Sequence, residues 1–199
     1  MKRIWVFLLL LVFAVLLSSC ATSTVTSFKD KACGDSKYGN ILVAVHSNNN
    51  LELRKLIEDK MVERLKKQHV SATQSYLAFP PTKDYSKSEI ADVLRENNFD
   101  SMLTIEYSEV PQNLDYHPQQ AYYINNTSKQ KPNSSDNSND SGLSGYGICR
   151  LVDLNIVKNV WMAESKVTIG GPLFNGNDEF ADEATETICE KLVQDKMLK

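Results

Sequence analysis

Five consecutive apolar residues, Ile41-Leu42-Val43-Ala44-Val45, lie between Gly39-Asn40 and Asn48-Asn49-Asn50. A run this short, bounded by turn formers and without polar alternation, reads as a strand buried on both faces, and such strands sit inside sheets that carry helices. The next segment has a helical period. Leu53, Ile57, Met61 and Leu65 recur every four residues over about 51–68, with Arg54, Lys55, Glu58, Asp59, Glu63 and Lys66 on the remaining faces. Asn49 and Glu52 have the spacing of a capping box at its start.

The same alternation of element types continues. Residues 70–75 read as a short second strand, and Phe79-Pro80-Pro81 breaks the chain. Ser86 and Glu89 form a second capping box, opening a helix whose stripe is Ile90, Val93 and Leu94 and which ends at Asn97-Asn98. Leu103, Ile105 and Tyr107 then alternate with Thr104, Glu106 and Ser108, the pattern of a half-buried strand.

The pattern fails from Pro111 to Gly145, where Asn, Ser, Lys, Asp, Gln and Pro predominate. Such a segment buries too little apolar surface to offset its ordering entropy, and it reads as a long mobile polar loop. Strand patterning returns at 146–154 and 160–169, joined by a turn at Asn155–Asn159 in which Asn159 is suited to a left-handed conformation. A last helix is expected over about 178–197, with Asp178, Glu179, Asp182 and Glu183 near its start and Lys191, Lys196 and Lys199 towards its end, as the helix dipole favours. The expected fold class is α/β, a mixed sheet in β-α-β-α-β-loop-β-β-α order with helices packed on it, forming a single domain over 41–199.

The chain opens differently. Lys2 and Arg3 precede an apolar run from Ile4 to Leu17. At about 14 residues and about 21 Å as a helix, the run suits an export signal and falls short of the ~30 Å hydrocarbon core. Leu17-Ser18-Ser19-Cys20-Ala21 resembles the bacterial lipoprotein box, in which a Leu and two small residues precede an invariant Cys. The resemblance implies a signal peptide over 1–19, diacylglycerol on Cys20, and a membrane partner held through that lipid. Ala21, where many inner-membrane lipoproteins carry Asp, implies the outer membrane and its periplasmic face. Ala21–Asn40 reads as a flexible polar tether, so 20–40 is expected to be an acylated leash spanning about 25 Å.

Composition excludes several classes. With 42% hydrophobic and 24% charged residues, the chain as a whole is not disordered. Loss of residues 1–19 removes Lys2 and Arg3 and no acid, leaving twenty basic against 25 acidic side chains. Nucleic acid is therefore not an expected partner, because phosphate binding needs a basic face.

The elements from Ile41 to Leu198 resemble a family of short, mostly uncharacterised bacterial outer-membrane lipoproteins. The resemblance rests on the apolar first strand, on Leu53-Arg54-Lys55-Leu56-Ile57-Glu58-Asp59, on Val70-Ser71-Ala72-Thr73-Gln74-Ser75-Tyr76, and on Leu151-Val152-Asp153-Leu154 leading to Val160-Trp161. The turn before Trp161 departs from the family in lacking glycine. In architecture the chain is loosely similar to the amino-terminal domain of the Tol-Pal propeller protein, to penicillin-binding-protein activator lipoproteins and to the curli-secretion lipoprotein. These resemblances imply a binding or assembly module without catalytic activity or cofactor, meeting a periplasmic protein or the cell wall.

Candidate chemical groups are few and dispersed. His46, His69 and His117 are scattered and have no spaced Cys, His or Glu beside them, so no metal site is expected. His46 lies just past the carboxyl end of the first strand, a place where α/β sheets often bind ligands. The alternative function is accordingly a small envelope hydrolase using His46 or His117 with strand-end carboxylates. Gly142-Leu143-Ser144-Gly145 lacks the spacing of a nucleophile elbow, and Gly145-Tyr146-Gly147 has no following Lys-Ser/Thr for a phosphate loop. Cys33 in the tether is a candidate free thiol. Cys149 and Cys189 read either as plain core residues or as a disulfide between strand and helix. Tyr116, Tyr122 and Tyr123 form a candidate interface patch at the start of the polar loop, with folding back over the sheet edge as the other reading.

Overall fold

The computed structural model describes residues 20–47, 50–109, 142–170 and 176–199. Its strands are β1 Cys20–Lys29, β2 Asn40–Ser47, β3 Ser71–Gln74, β4 Ser101–Glu109, β5 Gly142–Asp153 and β6 Lys158–Gly170. Its helices are α1 Leu51–Lys67, α2 Ser75–Ala78, α3 Lys87–Glu96 and α4 Asn177–Gln194. The six strands form one mixed sheet in the order β1-β6-β5-β4-β2-β3. β2 pairs in parallel with β3 and β4, and the remaining pairs are antiparallel. The expected α/β mixed sheet with helices on it is the observed fold, and β1 is an addition to it.

That addition corrects the expected tether. Residues 20–29 form a ten-residue edge strand paired with β6 from Cys20–Gly170 to Lys29–Trp161. Tyr38, also within the supposed leash, is buried and bridges to Leu198 next to the carboxyl terminus. The cause is visible in the alternation. Thr22, Thr24 and Thr26 are exposed, while Ser23, Val25 and Ser27 are half-buried on the side of α4. Ser23 Oγ donates to Glu183 at 2.5 Å and lies 2.7 Å from Thr187 Oγ1, and Ser27 Oγ donates to Asp195 at 2.5 Å. An inward face made of serines satisfied by a helix looks like a solvated coil when only apolar residues are counted.

α1 and α4 pack side by side against the same face of the sheet, α1 over β2 and β3 and α4 over β6 and β1. Between them lies the core, built from Ile41, Val43, Val45, Leu103, Ile105, Leu151 and Trp161 of the sheet and from Ile57, Met61, Leu65, Ala184, Ile188 and Leu192 of the helices. The expected stripe of α1 is thus buried. Its cap is Asn50 rather than Asn49, with the Asn50 side chain accepting from Leu53 N at 2.9 Å. The Ser86–Glu89 capping box forms as expected, but α3 buries none of its residues. Leu42 and Phe99 are buried outside the main core, and strand alternation puts Leu42 on the opposite face of the sheet from Ile41 and Val43. No helix among the described residues is long and apolar enough to cross a membrane.

β5 begins at Gly142, so the last residues assigned to the polar loop, 142–145, belong to a strand. A Cβ on Gly145 would meet the Phe180 ring at 2.4 Å, and one on Gly147 would meet the Tyr107 ring at 2.5 Å. These two rings pack edge to face with centroids 5.3 Å apart, so the glycines exist to admit them. A bulge between Leu151 and Val152 leaves Val160 without a partner on β5, and Val160 and Trp161 are both buried. At the hairpin turn the left-handed residue is Val157, with φ 52°, and not Asn159. Asp153 compensates by accepting from the backbone nitrogens of Asn155 at 2.8 Å and Ile156 at 3.3 Å.

Candidate functional site

The first candidate is the strand that begins at Cys20. β1 has one neighbour among the described strands, so side-chain contacts to α4 hold its inner face. Asp195, just past α4, is the centre of these contacts. Its Oδ2 accepts from Ser27 Oγ at 2.5 Å and from the Trp161 indole nitrogen at 2.8 Å, and Lys191 Nζ lies 3.4 Å from Oδ1. Lys29 Nζ donates to the Asp195 carbonyl at 3.5 Å. Burial works against ionisation here, but the hydrogen bonds from Ser27 and Trp161 and the Lys191 ammonium together hold the Asp195 carboxyl below the usual carboxylate range. One carboxylate therefore ties β1, β6 and α4 together at the end of β1 opposite Cys20.

A second polar centre lies at the other edge of the sheet. Glu58 has no exposed surface. Its Oε1 accepts from Val45 N at 3.1 Å, Arg54 Nε at 3.1 Å and Ser75 Oγ at 2.7 Å, and its Oε2 accepts from Tyr76 N at 3.2 Å. The helical period put Glu58 on a solvent face of its helix. In the structure it joins α1, β2 and α2 past the end of β3, whose pairing with β2 stops at Val43–Gln74. Nearby, Asp59 accepts from Lys55 Nζ at 2.7 Å, Gln74 Nε2 at 3.0 Å and the Tyr76 hydroxyl. Both carboxylate oxygens of Glu58 accept from structural donors, so the side chain holds α1, β2 and α2 together.

The residues singled out for chemistry do not converge. His46 is exposed on β2, in register with Glu106, whose carboxylate is engaged by Arg150 at 2.9 Å. No group of three His, Cys, Asp or Glu able to hold a metal occurs among the described residues. His117, Tyr116, Tyr122 and Tyr123 lie outside the described residues, as does the signal segment 1–19. Cys33 is half-buried, and Cys149 and Cys189 are both buried as separate free thiols, the plain-core alternative for the latter pair. Burial pushes the Cys149 thiol up to about 12 and raises that of Cys189, so neither supplies a thiolate nucleophile near neutrality. An open groove of about 410 Å³ between α1 and α4 is lined by Arg64, Glu186, Cys189 and Val193, among others. Its arginine is already committed, to Asp182 at 2.8 Å, Glu186 at 3.1 Å and Thr185 Oγ1 at 3.1 Å. The groove is a seam between helices.

No protein-family model matches the chain. No curated protein matches it either. Solved structures do. Its fold is similar to that of PelC. A PelC dodecamer from Paraburkholderia phytofirmans aligns with TM-score 0.51 and 12% identity over 85% of this chain and 98% of that one. A PelC dodecamer from the same organism in another space group, without the single substitution carried by the first, gives TM-score 0.51 and 11% identity over 89% and 99%. Lipoprotein GNA1162 from Neisseria meningitidis aligns with TM-score 0.46 and 12% identity over 78% and 99%. At these identities the likeness to PelC concerns the fold alone. Hydrophobic patterning missed β1, and with it the Asp195 centre that holds its inner face. The one linear signal for Glu58 was its place beside Ile57 and three residues before Met61, both on the buried stripe.

Proposed function

We propose that the chain is a lipoprotein, acylated on Cys20 and held on the periplasmic face of the outer membrane, acting as a non-catalytic binding or assembly module. The observation that carries this reading is that Cys20, the residue the lipoprotein box would make the mature terminus, is itself part of a sheet strand, paired with Gly170. Acyl chains there, at about 0.8 kcal/mol per buried methylene, act on a rigid body rather than on a leash. The absence of convergent acids, bases or nucleophiles among the described residues gives the hydrolase alternative no support. The chain's expected partner is a periplasmic protein or the cell wall. Assembly with further copies of itself is the other outcome, because the PelC structures of similar fold are dodecamers.

The test is crosslinking in intact envelopes with the native protein and a Cys20→Ala form, combined with intact-mass measurement. Diacylglycerol on Cys20 and a discrete partner lost in the variant are the expected results. A water-soluble, acyl-free native protein would sink the reading.

A further inference from the structure

The two edges of the sheet are built differently. At one edge β3 has four residues before the chain turns into α2, and past its end the Glu58 carboxylate takes up Val45 N. Short strands and interposed side chains are common means of keeping a sheet edge from pairing further. At the other edge β1 has neither. Its ten residues run in unbroken register along β6, without proline or bulge, and Lys29 at its end is its one charged side chain. No described strand lies on its far side.

The sequence along that edge reads the same in both directions, Ser23-Thr24-Val25-Thr26-Ser27. Two antiparallel copies related by a two-fold axis perpendicular to the sheet pair residues whose numbers have a fixed sum. That sum is even, because paired side chains stand on one face. With the axis through Val25, Val25 meets the partner's Val25, Ser23 meets the partner's Ser27 and Thr24 meets the partner's Thr26. Lys29 falls opposite the partner's Ala21, so the lysines of the two strands stand at opposite ends. An axis one residue either way puts Val25 opposite a serine.

We infer that β1 is the interface of a homodimer: it pairs antiparallel with β1 of a second copy about a two-fold axis through Val25, joining two six-stranded sheets into one. Main-chain hydrogen bonds along an added strand supply affinity, and side-chain pairs set the register. The symmetry of the segment selects a second copy over an unrelated strand, since one sequence supplies matched pairs from both sides. Val25 is half-buried against the core, and the partner's Val25 removes more of it from water. Ser23 and Ser27 are held by Glu183 and Asp195 of their own chain, so the edge is ordered before it pairs and little ordering entropy is lost on association.

The pairing does not require the lipid and is compatible with it. Cys20 lies opposite the partner's Asp30, which sets the two Cys20 residues about 33 Å apart along the strands. An axis along the bilayer normal lets both reach one membrane.

The experiment measures the protein mass per particle by light scattering, on protein purified from envelopes in mild detergent. It compares two double variants of the exposed residues Thr24 and Thr26. In Thr24→Lys with Thr26→Lys every lysine faces a lysine across the axis, and the dimer dissociation constant should rise roughly tenfold or more. In Thr24→Lys with Thr26→Glu every lysine faces a glutamate, and dimerisation should return to the unsubstituted level. The second variant also controls for folding, because it changes the same two positions. A monomeric unsubstituted protein, or a Lys/Lys variant that dimerises undiminished, overturns the interface. A Lys/Glu variant as weak as the Lys/Lys variant overturns the register through Val25. Intact mass reads acylation of Cys20 separately, so a lipid-bearing monomer removes the dimer and leaves the proposed anchor standing.

Discussion

The carboxylate of Glu58, wholly buried, accepts a hydrogen bond from the backbone nitrogen of Val45 at 3.1 Å. β3 is too short to pair with β2 at that height, and a side chain from the crossover helix takes the place of the missing strand.

Removing that side chain strands several donors at once. Glu58→Ala leaves Val45 N, Ser75 Oγ and Arg54 without their acceptor, and should cost ~3–5 kcal/mol in urea unfolding. Glu58→Gln keeps one carbonyl acceptor and should cost less, ~1–3 kcal/mol. Equal losses would show that the charge, and not the acceptor, matters.

Asp195 makes β1 sensitive to acid. Its folded pKa lies below the ordinary carboxylate value of about 4, so its contribution is present above that value and is lost as pH falls through the lowered folded pKa. Hydrogen exchange below pH ~4 should rise first in β1, before β2 and β4. Asp195→Ala should produce the same pattern at neutral pH.

Val157 is a β-branched residue at φ 52°, a conformation that suits Asn or Gly. Val157→Asn should stabilise the domain by ~1 kcal/mol in thermal unfolding. A lowered midpoint would mean that the valine side chain holds the turn in a way its exposure does not suggest.

Gly147→Ala would put a methyl group 2.5 Å from the Tyr107 ring, between backbone and a buried aromatic pair. A loss of ~1–3 kcal/mol is expected, accompanied by a change in tyrosine near-ultraviolet dichroism.

Thiol reactivity should sort by burial. In a Cys20→Ala protein, Cys33 should react with a thiol reagent under native conditions, while Cys149 and Cys189 should react only on unfolding. Fast modification of Cys149 would contradict its packing.

The linear chain by itself determined the helix α1, the capping box at Ser86 and the alternating strand from Leu103 to Tyr107, because each arises from periodicity or capping within about four residues. The resemblance to a lipoprotein box at Cys20 is likewise carried by a local motif. Tertiary structure alone decided that 20–29 is a strand, that Glu58 is interior and that Asp195 binds Trp161. In each case a polar residue is buried because its partner lies elsewhere along the chain, 168 positions away for Ser27 and Asp195. Apolar patterning records what must leave water, whereas the burial of a polar group depends on the partner that meets it there.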